Sequence, residues 1–537
     1  MTTARPLSRR RLLQQGGTGL TAALATGVTG VAAQEATPGG QTATPVGSSP
    51  VLSDVALGQF EADVEAALGT FRIVGAAVAL VDRRGIRYQH GFGVRDQASG
   101  EPVTPDTHFL VASTTKSMSS LLVATFVDDG TLSWDQPVHE VWADFRAPTA
   151  ELTNTLRVRD LLGMDSGIGE PPSVSSFHEG DPTAGELLRL LATLPVTDPP
   201  GTTYFYNNTV YAVGGYLPAL VQGASENELE TVYARLMAER VYGPAGMRTA
   251  RITDDPRPFV TDYATGYAPD FTQGTAAVPY GPVGSYAPAG GTLASLTDMA
   301  NYVALQLNEG VSLTGERVVS AANLAERWKP HIDAPLPPEF GPDVVGPDQV
   351  SQGYGMGWVI QTYRDGRRFV GHSGAIDGFT TFIGFFPDDD LGLVVLTNTG
   401  LWPRGLYFAQ FYVPNLLLSG RFGLNQGVND AVVAQYRAAA QQLADLAAQA
   451  QPVDSGAVAP YLGFYEKGWR VAFDADGELR LRQGSRAIRL LAMPDGDYVM
   501  AGGLVPGTAV HFSQDGSGLR WLEIQGFETV RWSSGPA

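Results

Sequence analysis

The sequence predicts an α+β body, one antiparallel sheet covered by helices, followed by a small all-β module. Three observations carry this. Strand-like segments stand at both ends of the region from about 55 to 420, with a loop-rich, partly helical stretch between them. An Ala/Gln-rich helical segment then runs over 428–450 and stops before Pro452. Beyond it, over about 458–535, short strands alternate with turns, as in a small barrel or sandwich.

Residues 53–68 have helical spacing. Gly75 to Val81 and Ile86 to Gly93 read as two strands of a hairpin around the charged turn Asp82 to Gly85. Thr107 to Leu110 leads into Ala112-Ser113-Thr114-Thr115-Lys116. A helix follows, with Met118, Leu121, Leu122 and Phe126 near one face and Gly130 as its stop. The middle, about 150–350, is loop-rich, and its clear helix is Leu293 to Gly310. Arg368 to Gly371, Phe379 to Phe386 and Leu391 to Asn398 read as strands, with Pro387 to Asp390 as a turn. In the last region Trp469 to Phe473 and Glu478 to Leu481 flank the turn Asp474 to Gly477, and Asp515 to Gly518 marks another.

Composition excludes several classes. Of 537 residues, 44% are apolar and 17% charged, so a large core can form. Gly (64) and Pro (36) together stand well above their usual share of roughly 12%, which indicates many turns. The net charge of −19 argues against nucleic acid and anionic membrane as partners. The chain has no cysteine, which removes disulfides, thiolate nucleophiles and Cys-ligated metal.

The N-terminus reads as an address. Ser8-Arg9-Arg10-Arg11-Leu12-Leu13 has the twin-arginine pattern, Gly16 to Ala33 is mildly apolar, and Val31-Ala32-Ala33 offers small residues for cleavage. The stretch is too short and too weakly apolar for a membrane anchor, so no stable insertion is expected after cleavage. The expected organisation is a signal over 1–33, a flexible linker over 34–52, a catalytic body over 53–425, a linker helix over 426–455 and a β module over 456–537. The expected location is outside the cytoplasmic membrane. Oligomeric state is not readable.

Three motifs carry chemistry. Ser113-x-x-Lys116 stands where a strand-like run enters a helix, so positions i and i+3 share a face and the amine can reach the hydroxyl. The helix start favours negative charge on the Ser oxygen, and a neighbouring base activates a Ser nucleophile. Alone, S-x-x-K arises often by chance. Tyr206-Asn207-Asn208 follows about 90 residues later, and His372-Ser373-Gly374 begins a strand about 160 residues after that. The order matches the S-x-x-K, polar triplet and K-T-G signature of β-lactamases and penicillin-binding proteins.

On these residues the chain resembles the class C β-lactamase-related serine hydrolase family, which includes D-peptidases and esterases. Val111 to Ser117, Leu161-Leu162 with Ser166-Gly167, Ala289-Gly290-Gly291, Tyr354 to Trp358 and Gly371 to Gly374 carry the resemblance, over roughly 55–420. It implies the β-lactamase/transpeptidase-like fold, with a mixed sheet, helices on both faces and a helical lobe. The C-terminal module resembles the lipocalin-like domain that often follows this body. The resemblance makes Ser113 the nucleophile and Lys116 the group that holds or shuttles its proton. Tyr206 would act as general base and later acid, its phenol lowered by Lys116 from about 10. Asn208 would bind substrate amide or hold Lys116. The N–H groups of Ser113 and Ala375 would form the oxyanion hole, His372 would contact substrate, and Gly374 would let the substrate backbone approach.

There are departures. The third motif opens with His372 instead of Lys, and a largely neutral imidazole holds a carboxylate less firmly. That favours ester or D-amino-acid amide chemistry over antibiotic hydrolysis. A true β-lactamase and a non-turnover penicillin-binding sensor remain as alternatives. Asn207 fills the middle of the second motif and is read as a loop-shaping residue. Met164 is not read as catalytic. Ser373 is a poor rival nucleophile because Ala375 ends its Gly371-x-Ser373-x-Ala375 run. Asp377 and Asp388 to Asp390 are read as turn residues. The seven His show no paired ligand spacing, so no metal and no cofactor is expected. The expected partner is a small-molecule or short-peptide substrate.

Overall fold

The computed structural model describes residues 54–533, except 171–180, 271–273, 282, 337–340, 485, 504–505 and 526–527. The expected signal and linker lie outside the described residues.

The body contains thirteen described strands. In chain order they are β1 (Gly75–Asp82), β2 (Gly85–Gly93), β3 (His108–Leu110), β4 (Arg251–Ile252), β5 (Tyr267–Asp270), β6 (Gly274–Ala277), β7 (Thr292–Ser295), β8 (Ile332–Asp333), β9 (Gln349–Tyr354), β10 (Val359–Tyr363), β11 (Arg368–Ile376), β12 (Phe379–Phe386) and β13 (Leu391–Thr397). Eight of them form one sheet in the order β2-β1-β13-β12-β11-β10-β9-β8. The first hairpin closes onto the last strand, with Ala77 opposite Leu396 and Val81 opposite Gly392. The sheet is therefore made from both ends of the body, as expected. Every pairing in it is antiparallel, which corrects the implied mixed sheet. Except for β8 and β9, the strands here that follow one another in sequence are joined by short turns, and a tight turn can only reverse direction.

β1 is buried along its whole length. Its side chains alternate between two cores, as a period of two requires. Ala77, Ala79 and Val81 face one core with the helices Thr115–Asp128, Asn208–Val221 and Leu296–Leu307. Ala76, Val78 and Leu80 face the other, with the helices Asp54–Phe71, Val413–Phe422 and Val428–Gln449. Helices thus cover both faces.

The expected helix Leu293 to Gly310 is shorter at both ends. Leu293 and Ala294 belong to β7, which pairs with β3 and β4 in a small second sheet. The helix begins at Leu296, where Ser295 and Asp298 form a reciprocal capping box. An apolar run such as Leu293-Ala294 fits either period, and partner strands decide it.

The C-terminal module is a closed barrel of eight strands, β14 (Gly463–Tyr465), β15 (Arg470–Phe473), β16 (Leu479–Gln483), β17 (Arg486–Ala492), β18 (Tyr498–Met500), β19 (Ala509–Gln514), β20 (Arg520–Ile524) and β21 (Glu528–Ser533). Eight strands enclose just enough room for side chains. Tyr465, Trp469, Leu479, Leu481, Met500, Val510 and Leu522 occupy that room. Leu446 on the helix Val428–Gln449 packs against Leu491, Met493 and Val499 of the barrel.

Candidate active site

β3 runs into a single 3₁₀ turn, Ala112–Thr114, that continues as the helix Thr115–Asp128. Ala112 sits at φ +49°. A residue with a Cβ costs roughly 1–2 kcal/mol in that conformation, and the surroundings hold it there. The Val111 carbonyl accepts from Thr381 Oγ1 at 2.8 Å and Thr114 Oγ1 at 2.9 Å. The Val111 N–H donates to the Thr292 carbonyl at 2.9 Å. β11 presses on the same turn. A Cβ added to Gly374 would stand 2.2 Å from the Val111 oxygen, 2.4 Å from Thr381 Oγ1 and 3.2 Å from the Ser113 nitrogen. Gly374 therefore admits the chain's own Ala112–Thr114 turn, a reason for glycine in addition to the expected approach of substrate backbone. Gly374→Ala is expected to lower stability by about 1–3 kcal/mol through overpacking and to lower ester turnover with it. Denaturant unfolding and initial rates check this; wild-type values in both would contradict it.

Ser113 is half-buried and Lys116 fully buried. Lys116 Nζ stands 3.1 Å from Ser113 Oγ, 2.7 Å from Asn208 Oδ1 and 2.9 Å from the Ala289 carbonyl. Burial lowers the amine to about 7, against the opposing field of Glu170. In its neutral form the amine has two hydrogens and one lone pair. The two carbonyl oxygens can only accept, so the lone pair falls to the Ser113 hydroxyl.

The Tyr206 hydroxyl is close enough to Ser113 to feel it electrostatically, and its ring lies under Lys116 Nζ at 4.8 Å. Burial pushes this phenol up, the Ser113 contact pulls it down, and the Glu170 charge pushes it up further. The expected lowering of Tyr206 by Lys116 is thus corrected. The group that burial leaves partly unprotonated at neutral pH is the amine.

Asn207 and Asn208 divide their work. Asn207 caps the helix Asn208–Val221, accepting from Val210 N at 2.8 Å and donating to the Ile168 carbonyl at 3.0 Å. This is the loop-shaping part read from sequence. Of the two duties expected of Asn208, it performs one in this structure, holding Lys116.

His372 is buried beside this group, its ring centroid 6.2 Å from that of Tyr206. Its Nδ1 lies 2.6 Å from the Ser373 carbonyl, so it carries the hydrogen, and its Nε2 accepts from the Tyr354 hydroxyl at 3.0 Å. Burial and the nearby Lys116 lower it to about 3. His372 is a neutral wall of the site with both nitrogens engaged. Ala375 lines one cleft of about 60 Å³ with Ser113, Asn208, Tyr286 and Ala289. β10 leaves β11 at Gly371, so the ladder edge from Ser373 onward is open on that side.

Four residues escaped the sequence reading. Glu170 is fully buried and accepts from Thr209 Oγ1 at 2.6 Å, Thr209 N at 2.7 Å and Asn208 N at 3.0 Å. Burial pushes its carboxyl up, and the donors, Thr209 first, pull it down. All its partners donate, so an ionised carboxylate fits and balances a Lys116 cation. Its one signal is its place three residues after Gly167. Arg327 is buried beneath the nucleophile helix and donates to the Ser117 carbonyl at 2.6 Å and Ser120 Oγ at 3.0 Å. Thr381 and Arg486 complete the set.

Fold and site together match the β-lactamase/transpeptidase-like arrangement that the three motifs imply, with a hydroxyl, a buried amine and a phenol in one cleft. Comparison with known proteins agrees. The Beta-lactamase family model matches residues 60–408, and the chain belongs to that family. It is similar to Unguisins hydrolase ungD of Aspergillus violaceofuscus, 30% identical over 375 residues, covering 66% of this chain and 63% of that one. It is also similar to Esterase EstB of Burkholderia gladioli, 30% identical over 223 residues, covering 39% and 55%. The chain thus spans less than two thirds of either relative. Among solved structures it resembles an octameric penicillin-binding protein homologue from Pyrococcus abyssi, with a TM-score of 0.58 at 22% identity, covering 89% of this chain and all of that one.

Proposed function

We propose that this enzyme hydrolyses a small ester, a D-amino-acid amide or a peptide-like substrate through an acyl group carried on Ser113. The observation that supports this most is the Lys116 amine, lowered to about 7 and 3.1 Å from Ser113 Oγ. In the proposed cycle the neutral amine takes the Ser113 proton as Oγ attacks the substrate carbonyl. The N–H groups of Ser113 and Ala375 hold the resulting oxyanion. The Tyr206 hydroxyl then gives its proton to the departing oxygen or nitrogen and recovers one from the Lys116 ammonium. Water enters as the second nucleophile, its proton follows the reverse path, and the acid product leaves with Ser113 restored.

A neutral His372 gives the third motif no cation of its own for an anionic antibiotic. Relatives named as a hydrolase and an esterase support acyl transfer to water. The test is a panel of p-nitrophenyl esters, D-amino acid p-nitroanilides and nitrocefin. Turnover of an ester or anilide, exceeding that of nitrocefin, is expected. Turnover of nitrocefin alone would move the enzyme to the β-lactamases proper.

The amine also sets a pH dependence. The unprotonated form is the active one, and its proton is gained as pH falls through about 7. The ester kcat/KM is expected to fall about tenfold per pH unit below 7 and to level off above it. A profile flat from pH 5 to 8 would contradict the role of Lys116 as first proton acceptor.

A further inference from the structure

The barrel reaches into the catalytic cleft. Arg486, the first residue of β17, lines the same cleft as Ser113, Asn208 and Ala375. It is the one cationic side chain among the cleft's described lining residues. Its Nε donates to Asp377 Oδ2 at 2.9 Å, in the turn that follows Ile376 at the end of β11. Asp377 stands in the turn read for it and also fixes the guanidinium. The Arg486 side chain is 11% exposed, and its Nη1 is buried with no hydrogen-bond partner.

A buried guanidinium N–H without an acceptor is costly, and native folds seldom leave one. Guanidinium has five donors in a planar fork, so one carboxylate at Nε leaves room for another at the far end. The body cannot supply this charge through the third motif, because His372 is neutral and both its nitrogens are engaged. The net charge of −19 gives no general attraction for anions, so any preference for one must be local.

We propose that Arg486 is a specificity residue that takes a carboxylate of the substrate within the Ser113 cleft. The barrel then completes the substrate site, and the preferred substrate is an ester or amide with a carboxylate a few bonds from the scissile carbonyl. This rests on the acyl-enzyme reading of Ser113.

The test compares mono-p-nitrophenyl glutarate, which carries a free carboxylate, with neutral p-nitrophenyl pentanoate on the full chain. Wild type is expected to prefer the glutarate ester. In Arg486→Gln the ratio of the two kcat/KM values is expected to fall at least tenfold, chiefly through KM, as loss of a charge-assisted bond requires. Arg486→Lys is expected to recover part of it. A ratio within twofold of wild type in Arg486→Gln would overturn the proposal. Should Arg486→Gln not fold, the wild type decides: glutarate is expected to inhibit pentanoate hydrolysis at least tenfold more tightly than glutaramide, and equal inhibition overturns it. Ser113→Ala separates the two claims. An inactive Ser113→Ala with an unchanged ratio in Arg486→Gln sinks the Arg486 proposal alone, whereas a fully active Ser113→Ala removes the reading beneath it.

Discussion

Ser113→Ala is expected to abolish ester turnover, with kcat falling on the order of 10⁴–10⁶-fold, the range seen when a serine nucleophile is removed. The loss should be chemical. The Ser113 hydroxyl is held by Lys116, which has other supports in Asn208 Oδ1 and the Ala289 carbonyl. Removing one oxygen from a half-buried position leaves a void smaller than a water. The variant should therefore unfold within about 0.5 kcal/mol of wild type, as for a change that touches no packing. Near-wild-type hydrolysis by a well-folded Ser113→Ala would move the nucleophile elsewhere, and Ser373 would be the next residue to test.

Lys116→Met carries the second largest expected effect, a fall of about 10²–10⁴ in kcat/KM, the usual contribution of a positioned base. Methionine keeps most of the length of the side chain and loses the basic amine. The variant also strands two acceptors, Asn208 Oδ1 and the Ala289 carbonyl. A loss of about 1–3 kcal/mol in stability is expected from them. Glu170 loses its cation, and its carboxyl should rise further. The informative reading is the residual pH profile. If the amine is the first acceptor, the limb near pH 7 disappears with it. A variant that is slow yet keeps that limb would give the proton to another group.

The frame of the fold was legible for a physical reason. β1 and β13 are short, largely apolar runs between turn residues, and β12 ends in an Asp-rich turn. Such runs announce themselves without partners. β9 and β10 were not legible, because Gln349 to Tyr363 mixes Gln, Ser, Thr and Gly in partly exposed strands. That Ser113, Lys116, Tyr206 and His372 come together was legible because helix spacing and motif order mark them. Their electrostatics were not. The direction of the Tyr206 and Lys116 shifts depends on burial, and burial is a property of the packed site. Glu170 and Arg486 stand in loops and strand ends that no period marks, and the fold alone brings them to Ser113. Asn207 shows the intermediate case, where a cap-forming residue before an apolar helix was enough to suggest its part.

The central claim is that one acyl group is carried on the Ser113 oxygen. The direct measurement is peptide mapping by mass spectrometry after reaction with a fluorophosphonate. The predicted result is one adduct per chain, on the peptide holding Ala112-Ser113-Thr114, absent from Ser113→Ala and slowed below pH 7. An adduct on Ser373 or another residue, or full activity in enzyme labelled stoichiometrically at Ser113, would contradict the account.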